Sequence, residues 1–306
     1  MLRLALVGGV TFGHTRAFLG LFNPRTPAGE DQMPYPHQPD LPGRVVAIAD
    51  PAQEKAHEFA SWVEGVEFLT ANVEELAGRV DAVLVCGDPS GPRLEWARWS
   101  LGAGLPTFVD KPLATEVPEA EALIALAQAT GTPLMSASAL RFSRELAAVD
   151  RDASGDITTV LGVGPEDLFL YGVHVAEFIQ AALGPGVQTV RALGTPEKYH
   201  IFMDWGPPGG TGVSPVPAPR KTAVWLVGPA VAPGFRMILV TERANLPLTI
   251  ADSTGNFGDM LRAFCRMVES GQPPIPYENM LEIVRILDAA RWSREMGGEE
   301  VRIGVA

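Results

Sequence analysis

The sequence predicts an α/β protein of two domains. Residues 1–138 form a doubly wound parallel sheet, and residues 139–306 an α+β domain with a mostly antiparallel open sheet. Three observations predict this. Short apolar runs alternate with helix-length segments through the first 138 residues, the pattern of parallel strands linked by helical crossovers. Residues 223–227, 236–241 and 246–250 instead alternate apolar and polar, which suits strands with one covered face. The chain has 306 residues, enough for two domains of ordinary size.

The elements follow in order. Residues 4–7 are continuously apolar, as a strand covered on both faces requires. Gly8-Gly9-Val10-Thr11-Phe12-Gly13 then turns into a helix beginning at His14. Strand, glycine turn and helix are the context in which a dinucleotide pyrophosphate rests on a helix N-terminus. Gly8 and Gly13 take the outer glycine positions of that fingerprint, and Val10 stands in place of the middle one. Residues 23–43 carry Pro24, Pro27, Pro34, Pro36, Pro39 and Pro42. This stretch is too long for an ordinary connection and reads as a lid or a mobile insertion, with Tyr35 and His37 as surface loop residues.

Residues 45–49 form the second strand, which ends in Asp50-Pro51. An acid there is placed to bond ribose hydroxyls and repel a 2′-phosphate, favouring NAD over NADP. The competing reading makes Asp50 a cap for the helix at 52–60. Strands at 66–69 and 80–86 follow, and Gly87-Asp88-Pro89-Ser90 leads into a helix at 93–101. Asp88 and Pro89 therefore also lie at a strand's carboxyl end. A helix at 117–129 and a strand at 133–136 complete the series.

Within that series, residues 108–113 read as a short buried strand that delivers Asp110-Lys111 and stops at Pro112. Proline cannot donate to a sheet ladder and disfavours helix at the residue before it. Ligands of open α/β sheets bind at strand carboxyl ends, so Lys111 is a candidate catalytic residue. Asp110 and Pro112 are candidates beside a cofactor. A solvated lysine at an ordinary strand end is the alternative.

Residues 140–142 are expected to close the sixth strand and lead into the second domain, whose first strand is 157–163. In the stretch 166–177, His174 and Glu177 are three apart on a helix and so share a face. A histidine near neutral pKa suits proton transfer, although a helical histidine beside an acid is often a packing residue. No third ligand stands at a recognisable spacing, so no metal site is expected. Residues 187–205 read as paired strands, with His200 on one of them, and 206–219 as a breaker-rich loop. Strands at 223–227, 236–241 and 246–250 precede helices at 257–269 and 277–294. The first of these helices carries an apolar stripe at Leu261, Phe264, Cys265 and Val268.

Formal net charge is −12 and no basic cluster appears, which argues against nucleic acid and an anionic membrane surface as partners. No apolar run is long enough to span a bilayer. The first residues run straight into a glycine turn, as a strand rather than a signal peptide does. Cys86 and Cys265 lack metal-type spacing and read as core thiols of a protein in a reducing cytoplasm.

The stretch VDAVLVCGDPSGPRLEWARWSLGAGLPTFVDKPLA, with SALRF, LYGVHVAEFI and the C-terminal LRAFCRMVESGQPPIPYENMLEIVRILDAARWS, resembles the Gfo/Idh/MocA family of oxidoreductases. That family includes glucose–fructose oxidoreductase and inositol dehydrogenase. The resemblance implies an N-terminal Rossmann domain and a C-terminal domain whose open sheet forms homodimers or homotetramers. It also implies that the last helix can return to the nucleotide domain. Lys111 matches the lysine of the family's Glu-Lys-Pro motif, with Asp110 in place of the glutamate. In the family that lysine lies between nicotinamide and substrate, and the following peptide bond is often cis. Arg93 stands where many members have a histidine and inherits no role.

His174 matches the histidine of the family's Asp-x-x-x-His-x-x-Asp pattern. Glu177 roughly matches its last acid, and Leu170 replaces its first aspartate. The implied activity is NAD(P)-dependent hydride transfer between a sugar, polyol or related hydroxy compound and nicotinamide, with NAD as the cofactor. Lys111 would polarise the substrate oxygen and His174 would handle its proton. Arg141, Tyr171 and Glu177 are candidates to line the small-molecule substrate site. Two other readings stay open: an NAD-using redox-elimination enzyme, and a nucleotide-binding sensor without catalysis. Val10, the insertion and Leu170 point toward the sensor.

Overall fold

The computed structural model describes residues 1–89, 91–206, 220–231 and 233–303. It divides into two compact units. The first joins Met1–Ala137 with Phe257–Met280, and the second joins Ser138–Asn256 with the residues from Leu281 on.

Along the chain, the first unit builds β1 (Leu2–Val7), α1 (Gly13–Phe22), β2 (Gly43–Ala49), α2 (Gln53–Ser61) and β3 (Phe68–Thr70). It continues with β4 (Ala82–Val85), α3 (Arg93–Gly102), β5 (Thr107–Val109), α4 (Val117–Thr130) and β6 (Leu134–Met135). The strands pair in the order β3-β2-β1-β4-β5-β6, and every pairing is parallel. Leu4 to Val7 and Ala82 to Val85 are fully buried, which is why the central strands read as unbroken apolar runs. Winding reverses between β1 and β4. The loops at the carboxyl ends of these strands border the crevice where this architecture binds ligands.

The insertion at 23–43 holds one 3₁₀ turn, Pro27–Gly29, and is anchored along its length. Thr26 N–H donates to Trp62 O at 3.0 Å, Glu64 N–H to Pro24 O at 2.8 Å and Gln38 N–H to Leu21 O at 2.9 Å. Arg262 adds bonds to Gln38 Oε1 at 3.0 Å and Asp40 Oδ2 at 2.5 Å. Tyr35 packs on Phe257 with ring centroids 5.3 Å apart, and His37 Nδ1 lies 3.1 Å from Leu21 O. Both side chains belong to a pinned loop and are partly buried.

The expected end of the sixth strand is different. β6 stops at Met135, and Ala139–Phe142 folds into a 3₁₀ turn. The cause is local: the Ser138 hydroxyl accepts the Leu140 N–H at 3.0 Å, which commits the chain to a capped turn.

The second unit contains the short helices α5 (Arg144–Ala147) and α6 (Arg151–Ser154), then β7 (Ile157–Pro165) and α7 (Gly172–Leu183). β8 (Thr189–Thr195), β9 (Lys198–Asp204), β10 (Thr222–Gly228), β11 (Phe235–Thr241) and β12 (Asn245–Ile250) follow. α8 (Ser253–Ser270) belongs to the first unit from Phe257 on, α9 (Tyr277–Glu295) to the second from Leu281 on, and β13 (Val301–Arg302) completes the chain order. The sheet runs β12-β11-β7-β10-β9-β8-β13, parallel only between β7 and β10. His200 lies on β9. Ser90 and residues 207–219 of the breaker-rich loop lie outside the described residues.

α7 starts at Gly172, so His174 and Glu177 both lie on it. Glu166 takes a positive φ of 56°, and Asp167 Oδ1 accepts the N–H groups of Phe169 and Leu170, both at 2.8 Å. That turn precedes the helix. Gly162 and Gly164, two apart on β7, then let α7 approach the sheet. A Cβ at either position would meet Val175 at 2.8 or 2.7 Å. Only glycine fits under that helix, and the seam fixes the turn that carries His174.

Both cysteines are buried free thiols, and burial pushes Cys265 up to about 12. Among the described residues no helix is long and apolar enough to cross a membrane.

Candidate active site

The loop after β1 builds the first part of the site. Gly8 and Gly9 have φ of 73° and 70°, a region that side chains strain to enter. A Cβ on Gly8 would lie 2.0 Å from the Trp96 ring of α3, and one on Gly9 would lie 2.8 Å from the Gly87 backbone nitrogen. The loops after β1 and β4 can therefore abut only because these residues are glycines. Val10 in the middle glycine position is 5% exposed and counts among the buried apolar residues.

Thr11, Phe12 and Gly13 are exposed, and a Cβ on Gly13 would meet nothing described within 4 Å. α1 opens with no side-chain cap and no acid in its first turn. Its leading N–H groups and the positive end of its dipole suit an anion. These features fit the pyrophosphate of a dinucleotide.

Asp50 satisfies both of its sequence readings. Its Oδ1 accepts the Ala52 N–H at 2.8 Å ahead of α2, and its Oδ2 accepts the Val10 N–H at 3.3 Å. The carboxylate thus ties the glycine loop to the end of β2. An ionised carboxylate has about four acceptor positions, so capacity remains for a ribose hydroxyl. Asp88 is exposed and Pro89 half-buried in the turn after β4, where the Gly91 N–H donates to Asp88 O at 3.0 Å.

β5 delivers the central group. The Asp110 N–H donates to Val85 O at 2.9 Å, the last ladder bond before the chain leaves the sheet. Lys111 is 8% exposed, and the Lys111–Pro112 peptide bond is cis. His14, the second residue of α1, holds the Asp110 side chain, with Nδ1 at 2.9 and 3.0 Å from its two oxygens. The His14 ring lies edge-on to Phe257 at 5.3 Å. Burial pushes the Asp110 carboxyl up. The His14 imidazole, by charge and hydrogen bond, then Lys111 and Arg93, outweigh burial and hold it at about 2. Asp110 is therefore ionised at every working pH, and the adjacent Lys111 ammonium gains a fixed counter-charge.

His14 and Arg93 were not singled out as site residues by sequence. The available signals were that His14 directly follows the last glycine of the loop, and that Arg93 occupies a family histidine position.

A titration follows from this geometry. The Asp110 pKa is depressed from an ordinary 3.8 to about 2, so its contribution to stability is fully present above 3.8 and is lost as pH falls through 2. That contribution is on the order of 2 kcal/mol. His14→Ala removes the largest lowering influence, so the Asp110 carboxyl protonates at higher pH. The acid-unfolding midpoint followed by circular dichroism should move upward; an unchanged midpoint would show that His14 does not hold the carboxylate.

The second unit places His174 in the first turn of α7, nearly buried. Ser138 Oγ lies 2.6 Å from its Nδ1, and the Tyr171 and Phe235 rings flank it edge-on at 6.1 and 5.3 Å. Tyr171 and Leu170 are exposed. Asp167, spent on the turn before α7, accepts backbone N–H groups.

Arg141 and Glu177 meet each other as a buried ion pair: Arg141 Nε donates to Glu177, and Nη2 to Gln180 Oε1. Gln180 Nε2 passes the network to Glu282 at 2.5 Å, and Glu282 Oε1 accepts the Gly186 and Val187 N–H groups at 2.6 and 3.0 Å. Burial pushes the Glu177 carboxyl above its ordinary value despite Arg141. Among the described residues no cluster of three His, Cys, Asp or Glu side chains could hold a metal.

The model of an oxidoreductase family with an NAD-binding Rossmann fold, Gfo/Idh/MocA, matches residues 9–138. No curated protein matches the chain by sequence. Among solved structures, scyllo-inositol dehydrogenase from Lactobacillus casei with bound NAD(H) and scyllo-inositol superposes with a TM-score of 0.75 at 15% identity. The match covers 99% of each chain. A putative myo-inositol dehydrogenase from Sinorhizobium meliloti gives 0.78 at 15% identity, over 99% of this chain and 100% of that one. A probable dehydrogenase from Thermotoga maritima gives 0.77 at 16% identity, over 99% of each. At such identities the likeness is one of fold, and it extends over both units. The family match at 9–138 includes the glycine loop from Gly9 on, Asp50, Arg93 and the Asp110-Lys111-Pro112 segment, so this part of the chain is similar to the NAD-binding Rossmann domain of the Gfo/Idh/MocA oxidoreductases.

Proposed function

We propose that the protein is an NAD-dependent dehydrogenase that oxidises a hydroxyl of a polyol, sugar or related compound, with Lys111 at the reacting oxygen. The observation that carries this reading is Lys111 itself. It is delivered at the end of β5 within the family-matched segment, nearly buried, beside a carboxylate held ionised by His14. NAD, when bound, supplies the hydride acceptor, and the protein orients and polarises.

The N-terminus of α1 would hold the pyrophosphate, and Asp50 would hold the ribose hydroxyls. The Lys111 ammonium donates to the substrate oxygen and stabilises the negative charge that develops on it as its proton leaves. His174 is assigned the proton-handling role, with Ser138 at Nδ1 and Nε2 as the exchanging nitrogen. The solved scyllo-inositol dehydrogenase with bound scyllo-inositol supports cyclic polyols as the first class to test.

The test is NADH formation from NAD⁺ across a panel containing scyllo-inositol, myo-inositol and common aldoses, with thermal stabilisation by NAD⁺ and NADP⁺ measured alongside. Turnover of a panel member with NAD⁺ is expected. Failure of both dinucleotides to raise the melting temperature would remove every cofactor-dependent reading. A sensor is the second reading, favoured by Leu170 in the position of the family aspartate. Stabilisation by NAD⁺ with no turnover of any panel member would support it.

We further propose that the outer face of the second unit's sheet joins copies of the chain. Pro247, Ile238, Leu161, Val224 and Phe202 form a cross-strand row there. Leu161, Phe202 and Ile238 are each about 40% exposed. Such a contiguous apolar row marks an interaction surface. Leu161→Asp with Phe202→Asp should reduce the light-scattering mass to that of a monomer, whereas a monomeric wild type would refute the interface. The buried free thiols support a reducing, cytoplasmic setting.

A further inference from the structure

Arg93 is a buried cation that the proposed chemistry leaves unused. It opens α3 and is 1% exposed, and burial drives its pKa below the ordinary value, against the pull of Asp110. Taking a guanidinium out of water costs several kcal/mol, and an apolar residue of similar volume would fill the space at less cost. A role beyond packing is needed to account for it.

The hydrogen bonds indicate that role. Arg93 Nη1 donates to Asp110 O at 2.8 Å and Nη2 to Pro112 O at 2.5 Å. Among the described residues Nε has no acceptor, so the two Nη atoms fix the guanidinium. The carbonyls it grips belong to the residues on either side of Lys111. Here β5 has ended, and backbone groups buried beyond a strand need partners from elsewhere. A planar fork can span two carbonyls in a fixed geometry, which the single point charge of a lysine cannot do. His14 holds the Asp110 side chain, and Arg93 holds the backbone before and after the lysine.

We infer that Arg93 is a positioning residue for Lys111, clamping the Asp110 and Pro112 carbonyls so that the ε-amine is presented at a fixed place and angle. The inference rests on the reading of Lys111 as the catalytic group.

The experiment compares wild type, Arg93→Lys, Arg93→Gln and Lys111→Ala as full-length chains, using NAD⁺ and the inositol that the wild type turns over. Both Arg93 variants should lose roughly tenfold to a hundredfold in kcat, while KM for NAD⁺ and the NAD-induced thermal shift stay within about twofold. A second readout needs no substrate: the acetylation rate of Lys111 by mass spectrometry, with exposed Lys55 and Lys198 as internal references. The Lys111 rate should change several-fold in both Arg93 variants while the references do not move.

Wild-type kcat and unchanged Lys111 labelling in the folded Arg93 variants would overturn the inference, provided that Lys111→Ala is inactive. If Lys111→Ala keeps its turnover, the reading of Lys111 itself fails. Should neither Arg93 variant fold, Arg93→Met, which fills the same space without donors, serves in their place. Full activity in Arg93→Met would overturn the clamp.

Discussion

Lys111→Ala will lower kcat by roughly a thousandfold, within the range of a positioned acid–base group, and will leave NAD⁺ affinity within about twofold. The expectation follows from where the lysine stands. The groups that fit the dinucleotide are the α1 N-terminus, Gly8, Gly9 and Asp50, and none of them depends on the Lys111 side chain. The fold should also survive, because Asp110 keeps His14 at its carboxylate and Arg93 at its carbonyl. Lys111→Arg should be nearly as impaired, since a guanidinium fork cannot occupy the place of a compact ammonium. Steady-state kinetics and a thermal titration separate the two quantities. Loss of NAD⁺ stabilisation together with kcat would mean that Lys111 builds the cofactor site rather than the chemistry.

Arg141→Met should destabilise the protein by about 3 kcal/mol, because it strands the Glu177 carboxylate in the interior. The sign of the pH dependence distinguishes this from a lost packing contact. Burial already raises the Glu177 pKa, with Arg141 the principal force opposing it. In the variant that pKa rises further. A carboxyl whose folded-state pKa lies above its unfolded value contributes stability below the unfolded value and loses it as pH rises through the folded one. The deficit measured by urea unfolding should therefore be small near pH 4.5, the ordinary glutamate value, and grow toward neutrality. Adding Glu177→Leu should recover most of the loss. A deficit independent of pH would contradict the ion-pair account.

The first sheet was almost fully legible in the sequence, and for a simple reason. Strands covered on both faces need unbroken apolar runs, and Leu4 to Val7 and Ala82 to Val85 supply them. The strand-end rule then led to Lys111 without any knowledge of its neighbours. What the sequence could not show is which long-range partner completes each group. His14 and Asp110 are 96 residues apart, and Arg93 reaches the Asp110 and Pro112 carbonyls across 17 and 19.

The same limit appears in the second unit. Arg141 and Glu177 each look available to a substrate when read singly, but 36 residues apart they meet as an ion pair. The 3₁₀ turn at 139–142 was hidden because it depends on one local hydrogen bond, accepted by the Ser138 hydroxyl. That bond redirects a segment whose apolar pattern also suits a strand.

The central claim is that a hydride passes from a substrate carbinol carbon to nicotinamide beside Lys111. The most direct measurement uses myo- or scyllo-inositol carrying deuterium on the ring carbons, incubated with the wild-type protein and NAD⁺. The reduced nucleotide is then weighed by mass spectrometry. The expected result is one deuterium on each reduced nicotinamide ring formed by wild type, with labelled nucleotide accumulating roughly a thousandfold more slowly in Lys111→Ala. Reduced nucleotide formed without deuterium, or labelled nucleotide formed at the same rate by both proteins, would contradict the account.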